Sequence, residues 1–195
     1  MLVWRAMKAK GSPRGARSKY VALMRGINVG GKNMLPMAVL VELFSELGCS
    51  DVCTYVQSGN VVFGATEAVA KTLPEAVAKV IERRRKLKVP VVLRSARELE
   101  RVAAANPYLR AGVDPIELHV MFLADAPAKA AVAGLDAKRS PPDEFVVAGR
   151  DVYLRLPSGM ARTKLSNAYF DSRLATVSTV RNWRTVLKLV EMTAE

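Results

Sequence analysis

Residues 52–63 read Val52-Cys53-Thr54-Tyr55-Val56-Gln57-Ser58-Gly59-Asn60-Val61-Val62-Phe63. β-Branched and aromatic residues flank a polar tetrad in which Gly59 and Asn60 favour a tight turn. The stretch predicts two strands joined by a hairpin. That hairpin decides the fold, because the glycine-rich loop before it would otherwise suggest a parallel nucleotide-binding sheet, where hairpins fit poorly.

Working outward, Tyr20–Arg25 (YVALMR) predicts a strand ending at the loop Gly26–Asn33. Pro36 suits the first turn of a helix, and Leu35, Val39, Leu40, Leu43, Phe44 and Leu47 recur at helical spacing before Gly48. After the hairpin, Val69, Leu73, Ala76, Val77, Val80 and Ile81 form the apolar face of a second helix. Its end carries Arg83, Arg84, Arg85 and Lys86, where cations favour the helix dipole. Val89–Leu93 predicts a closing strand, so the order is β-α-β-β-α-β.

The second half repeats that order. Leu118–Leu123 is a strand, Ala126–Leu135 a short helix and Phe145–Leu154 a hairpin around Gly149 and Arg150. Lys164–Leu174 is a helix, Thr176–Val180 a strand, and a final helix carries Trp183, Val186, Leu187 and Val190. The expectation is an α+β protein with two ferredoxin-like βαββαβ units in tandem. The division is an arm at 1–19, a first unit at 20–95, a helical connector at 96–115, and a second unit with an extra C-terminal helix at 116–195.

Composition narrows the function. The 195 residues carry 30 Lys and Arg against 18 Asp and Glu, a formal net charge of +12. Six of those charges lie in residues 1–19, which contain no acid, and this stretch is expected to be a flexible basic arm. The 50% apolar content excludes a disordered chain. One His and two Cys make a poor start for a metal site, so no metal and no cofactor are expected. No apolar run approaches a membrane span, and without a secretion signal the expected compartment is the cytoplasm. Cys49 and Cys53 are expected to be small buried residues, and His119 a structural histidine on a strand.

Three polar motifs remain. Arg25-Gly26-Ile27-Asn28-Val29-Gly30-Gly31-Lys32-Asn33 has the G-x-x-x-x-G-K spacing of a phosphate-binding loop, but Asn33 stands where a metal-binding hydroxyl is needed. The glycines then either shape a strand-to-helix loop or cradle an anion at a helix N-terminus. Gln57, Ser58 and Asn60 sit on the hairpin tip, as turn formers or as donors to a site. Arg155, Arg162, Lys164, Arg173, Arg181, Arg184 and Lys188 form either a solvated face or a phosphate-binding surface.

Together these residues resemble a known family. Tyr20–Asn33, Tyr55–Phe63, and a C-terminal stretch comprising Lys164-Leu165 and Thr179–Leu189 are similar to the signature of the bacterial family catalogued as domain of unknown function 1697. The resemblance implies two ferredoxin-like units and names no reaction. Its motifs make Arg25, Asn28, Lys32, Gln57, Asn60, Lys164, Arg181 and Asn182 site candidates, alongside Gly26, Gly30, Gly31, Asn33 and Ser58. The expected partner is a phosphate-bearing ligand, either nucleic acid or a nucleotide-like molecule. The alternatives are an enzyme for a small anionic substrate, with Asp143, Glu144 or Asp171 as acids, or motifs that lock the halves together.

Overall fold

The computed structural model describes residues 15–194. The first fourteen residues of the expected arm lie outside them, while Arg17 donates to the Gly48 and Gly64 carbonyls, and Ser18 and Lys19 open the first strand. The first unit contains β1 (Ser18–Met24), α1 (Met37–Glu46), β2 (Ser50–Tyr55), β3 (Asn60–Ala65), α2 (Glu67–Arg85) and β4 (Val91–Ser95). After it come α3 (Ala96–Ala104), α4 (Pro107–Arg110) and a 3-10 turn at Pro115–Glu117. The second unit contains β5 (Leu118–Leu123), α5 (Lys129–Ala133), β6 (Glu144–Ala148), β7 (Asp151–Arg155), α6 (Asn167–Leu174) and β8 (Ser178–Asn182). It is followed by α7 (Trp183–Ala194).

The hairpin forms as read, and the sheets follow from it. Strand orders are β2-β3-β1-β4 and β6-β7-β5-β8, with every neighbouring pair antiparallel. Each unit is thus a split βαβ pair with a strand inserted between its parallel members. A parallel nucleotide-binding sheet is excluded.

Period-two alternation assigns each strand's faces. From β1 and β3, Ala22, Met24, Val61 and Phe63 pack under α1 and α2. Their neighbours Val21, Leu23 and Val62 face inward, where they meet Val120 and Phe122 of β5 together with Leu99 of α3 and Val186 of α7. On the outer face of the second sheet, Met121, Leu123 and Val152 pack against Phe170 of α6. The two sheets therefore bury their inner faces in one shared layer containing α3 and α7. A fully buried side chain such as Phe122 contributes roughly 1.5–3 kcal/mol there.

Within that frame the units exchange arginines. Arg94 lies opposite Val21 on β1, and Arg181 lies opposite Val120 on β5. Asn60 opposes Leu23, and Asp151 opposes Phe122. By these registers Met24, Gly59 and Asn60 in one unit correspond to Leu123, Arg150 and Asp151 in the other. Arg94 reaches into the second unit: its Nη2 donates to the Leu123 carbonyl at 2.9 Å and the Arg150 carbonyl at 2.6 Å, and its Nε to Asp151 at 3.1 Å. Arg181 reaches back with the corresponding bonds, from Nη2 to the Met24 carbonyl at 2.7 Å and the Gly59 carbonyl at 3.3 Å, and from Nε to the Asn60 amide oxygen at 2.5 Å. The Nη1 atoms donate to the carbonyls of Leu93 and Val180, each the residue before its own arginine. Both guanidiniums are buried.

The hairpin turn sits where these bonds converge. Gly59 has φ +80°, its carbonyl accepts from Met24 N–H, and a Cβ there would stand 2.7 Å from the Met24 Cβ. Only glycine meets both demands.

This packing sets the cost of three substitutions. Arg94→Met strands the Asp151 carboxylate and should lower the unfolding free energy by about 3–5 kcal/mol in urea denaturation. Asp151→Asn should cost clearly less, because an amide already serves Arg181 in the other unit. Gly59→Ala should cost about 2–4 kcal/mol by the same measurement, combining left-handed strain with overpacking.

Candidate functional site

The glycine loop spends part of its backbone on itself. It turns back on itself as a small hairpin, with Lys32 N–H donating to the Val29 carbonyl at 3.0 Å across Gly30 and Gly31, whose φ angles are +56° and +72°. The Asn28 N–H donates to the Asn33 carbonyl at 3.2 Å, so two of the loop's amides serve the loop. The Asn28 side chain braces the base: its Oδ1 accepts from Leu35 N–H at 2.7 Å, and its Nδ2 donates to the Leu35 and Gln57 carbonyls at 2.9 Å each. The Asn33 amide donates to the Gly26 carbonyl. Asn28 thereby joins the glycine loop to the β2–β3 hairpin, which brings two of the sequence motifs together.

A cleft of about 450 Å³ lies between the loop base, Ser58 of the hairpin, the start of α6 and β8. Of the sequence candidates, Arg25, Gly26, Ser58 and Arg181 line it. Asn28, Asn33 and Asn60 hold its walls, Asn60 Nδ2 donating to the Tyr55 carbonyl. Gly30, Gly31, Lys32 and Gln57 are exposed at the loop tips. Lys164 is also exposed, two residues before the cleft residue Ser166, and its backbone is bonded to Ser140 and Arg139. Asn182 is not in the cleft: its Oδ1 accepts from Thr185 N–H and caps α7.

Arg181 differs from the exposed cation that its basic neighbours in sequence suggested. It forms the cleft floor, 8% exposed, with donors bonded to Asn60, Thr179 and the carbonyls of Met24, Ser58, Gly59 and Val180. All of these partners are neutral, and burial pushes its pKa down to about 10. It remains a cation at neutral pH. At the rim, Arg25 pairs with Asp171 of α6 and also donates to the Ser178 carbonyl at 3.3 Å. Asp171 accepts from Ser178 Oγ at 2.6 Å, and Asn167 Nδ2 donates to that same hydroxyl at 2.9 Å.

Sequence reasoning missed Ser166, Asn167 and Thr179, which also line the cleft. Ser166 carried a usable signal: a serine just ahead of a helix is a preferred N-cap, and its side chain accepts from Tyr169 N–H. The acid candidates are all engaged. Asp143 accepts from Ser140 Oγ, Glu144 pairs with Arg155, and Asp171 holds Arg25. Cys49 is buried, and burial pushes its thiol up to about 11, but Cys53, expected to be buried, is exposed on the edge strand β2. His119 is half-buried with Nδ1 3.3 Å from the Glu117 carbonyl, and burial lowers its pKa. Among the described residues no group of three His, Cys, Asp or Glu is placed to hold a metal, and no helix is long and apolar enough to cross a membrane.

No curated protein matches the chain in sequence. Among solved structures, the conserved bacterial protein SP0830 from Streptococcus pneumoniae is similar in fold, with a TM-score of 0.68 and 24% identity over 91% of this chain and 99% of that one. The first sheet, which bears Arg94, both motif loops and Asp151 fall within residues 17–153, and over that span the chain belongs to the family described as "Protein of unknown function (DUF1697)".

Proposed function

We propose that this protein binds a small phosphate-bearing ligand in the cleft between the glycine-loop base and the start of α6. The observation that carries this reading is a charge difference between two equivalent clefts. The cleft beside β4, about 350 Å³, is lined by Lys71, Leu93, Glu98, Ala124, Asp125 and Arg150. Its arginine, Arg150, is answered by Glu98, and the buried Arg94 behind it by Asp151 at 2.9 Å. At the positions that correspond to these in the other unit, around Arg181, stand Asn60 for Asp151, Gly59 for Arg150 and Thr185 for Glu98. Among the described residues no carboxylate touches Arg181.

A buried charge of that kind acts at distance because the local dielectric is low. Arg181 need not release its bonds, since its field favours an anion above it. Direct hydrogen bonds would come from the Ser58 and Ser166 hydroxyls and from the Asn167 and Ala168 N–H groups, which have no intrahelical acceptor in the first turn of α6. A volume of about 450 Å³ is in the range of small-molecule pockets. The reading therefore favours a nucleotide-sized ligand over a nucleic-acid strand.

A second reading has its own support. The side chains of Asn28, Asn33, Asn60 and Asn182 all bond to other groups of the protein, as a purely structural role for the motifs requires. The two readings separate by variant. Ala168→Asp places a carboxylate in the exposed first turn of α6, where the helix dipole favours it. It should hold or raise the melting temperature while weakening binding about tenfold or more in calorimetric titrations with inorganic phosphate and nucleoside mono- and triphosphates at low salt. Asn182→Ala should cost about 1 kcal/mol of stability and leave binding unchanged. Wild-type protein that binds none of these compounds, or an Ala168→Asp variant that binds as well as wild type, sinks the proposal in favour of the structural reading.

A further inference from the structure

The outer face of α7 carries Arg184, Leu187 and Glu191 at i, i+3 and i+7, a single exposed stripe. Beside it lies a groove of about 650 Å³, whose apolar wall is formed by Tyr55, Ile116, Trp183 and Leu187. Leu187 is 47% exposed and Ile116, on the neighbouring 3-10 turn, is 82% exposed. No residue of this groove lines the ligand cleft.

We infer that this face binds a second copy of the chain, with the two α7 helices antiparallel about a two-fold axis near Leu187. The charge pattern selects that occupant. Arg184 lies three residues before Leu187 and Glu191 four residues after it, with Lys188, which also lines the groove, bonded to Glu191, so the stripe runs from a cation through an apolar centre to an anion paired with Lys188. An antiparallel copy sets Arg184 against the partner subunit's Glu191, and Glu191 against the partner subunit's Arg184, while the leucines meet at the axis. A two-fold contact demands such self-complementarity, since each residue pair occurs twice. A parallel arrangement would oppose like charges. Arg184 makes no ion pair among the described residues, so its charge is available. Glu191 accepts from Lys188 at 2.5 Å along its own helix and would be bracketed by a second cation. Ile116 would close over the partner's helix and cover the apolar wall.

The chain carries a net charge of +12, so two copies repel at long range and association depends on this local pairing. Sedimentation equilibrium of the full chain, from micromolar to sub-millimolar concentration, tests the inference. Wild type should form a dimer. Leu187→Glu, at an exposed position with circular dichroism unchanged, should sediment as a monomer. Arg184→Glu alone and Glu191→Arg alone should each weaken the dimer about tenfold or more, and the combined swap should restore it to within a few-fold of wild type. A wild-type monomer at every concentration assigns the groove to a different occupant and overturns the inference. So does a dimer indifferent to Leu187→Glu, or a swap that restores nothing.

Discussion

Two buried arginines, each crossing from one unit to the other, are the constraint around which the molecule is arranged. A guanidinium presents its donors in a rigid planar fork, so its acceptors must be where the fork points. Arg94 finds them at the end of β5 and at the β6–β7 turn; Arg181 finds them at the end of β1 and at the β2–β3 turn. Strand register, hairpin position and the spacing between the sheets are thereby tied together. Slipping either hairpin by one residue would leave a buried cation without acceptors and would turn the inward-facing residues of the strand outward.

The same constraint gives α3 and α7 their place. Each begins two residues after its arginine, capped by the residue between, Ser95 in one case and Asn182 in the other. Each then runs through the shared layer, bringing Leu99 and Val186 against the inner faces of both sheets. The segment after the first unit and the helix that ends the chain are the same element in two copies. What differs between the copies is charge. Around Arg94 the protein answers its own cations with Asp151 and Glu98, whereas around Arg181 the corresponding residues are neutral. The two buried arginines share strand registers and differ in whether a carboxylate or an amide answers them.

The fold was legible because its signals are local. Gly59-Asn60 between β-branched runs, the helical spacing of Leu40, Leu43 and Phe44, and the repeated order all act over a few residues. The site was legible only in part. Arg25, Ser58 and Arg181 do meet at one cleft, but the loop Gly26–Asn33 was open to a phosphate-cradle reading that spacing alone could not remove. The tertiary structure adds what spacing could not show: the loop closes as its own hairpin across Gly30 and Gly31 and is braced by Asn28 onto Gln57. Ser166, Asn167 and Thr179 were missed because they join the cleft from more than a hundred residues away in sequence.

The sequence by itself determined the element order, the antiparallel sheets and the residues of the core, because period-two and helical patterns record which face of each element must leave water. It also marked the polar residues that matter. Only the tertiary structure decided what each does. Arg181 reads in the chain as one of several C-terminal cations, yet strand pairing with β5 and the packing of the two sheets bury it against Met24, Gly59 and Asn60 of the other unit. Its environment is made by residues some 120 to 160 positions away. Whether a cation is solvated, neutralised or left to face a cleft depends on those distant neighbours.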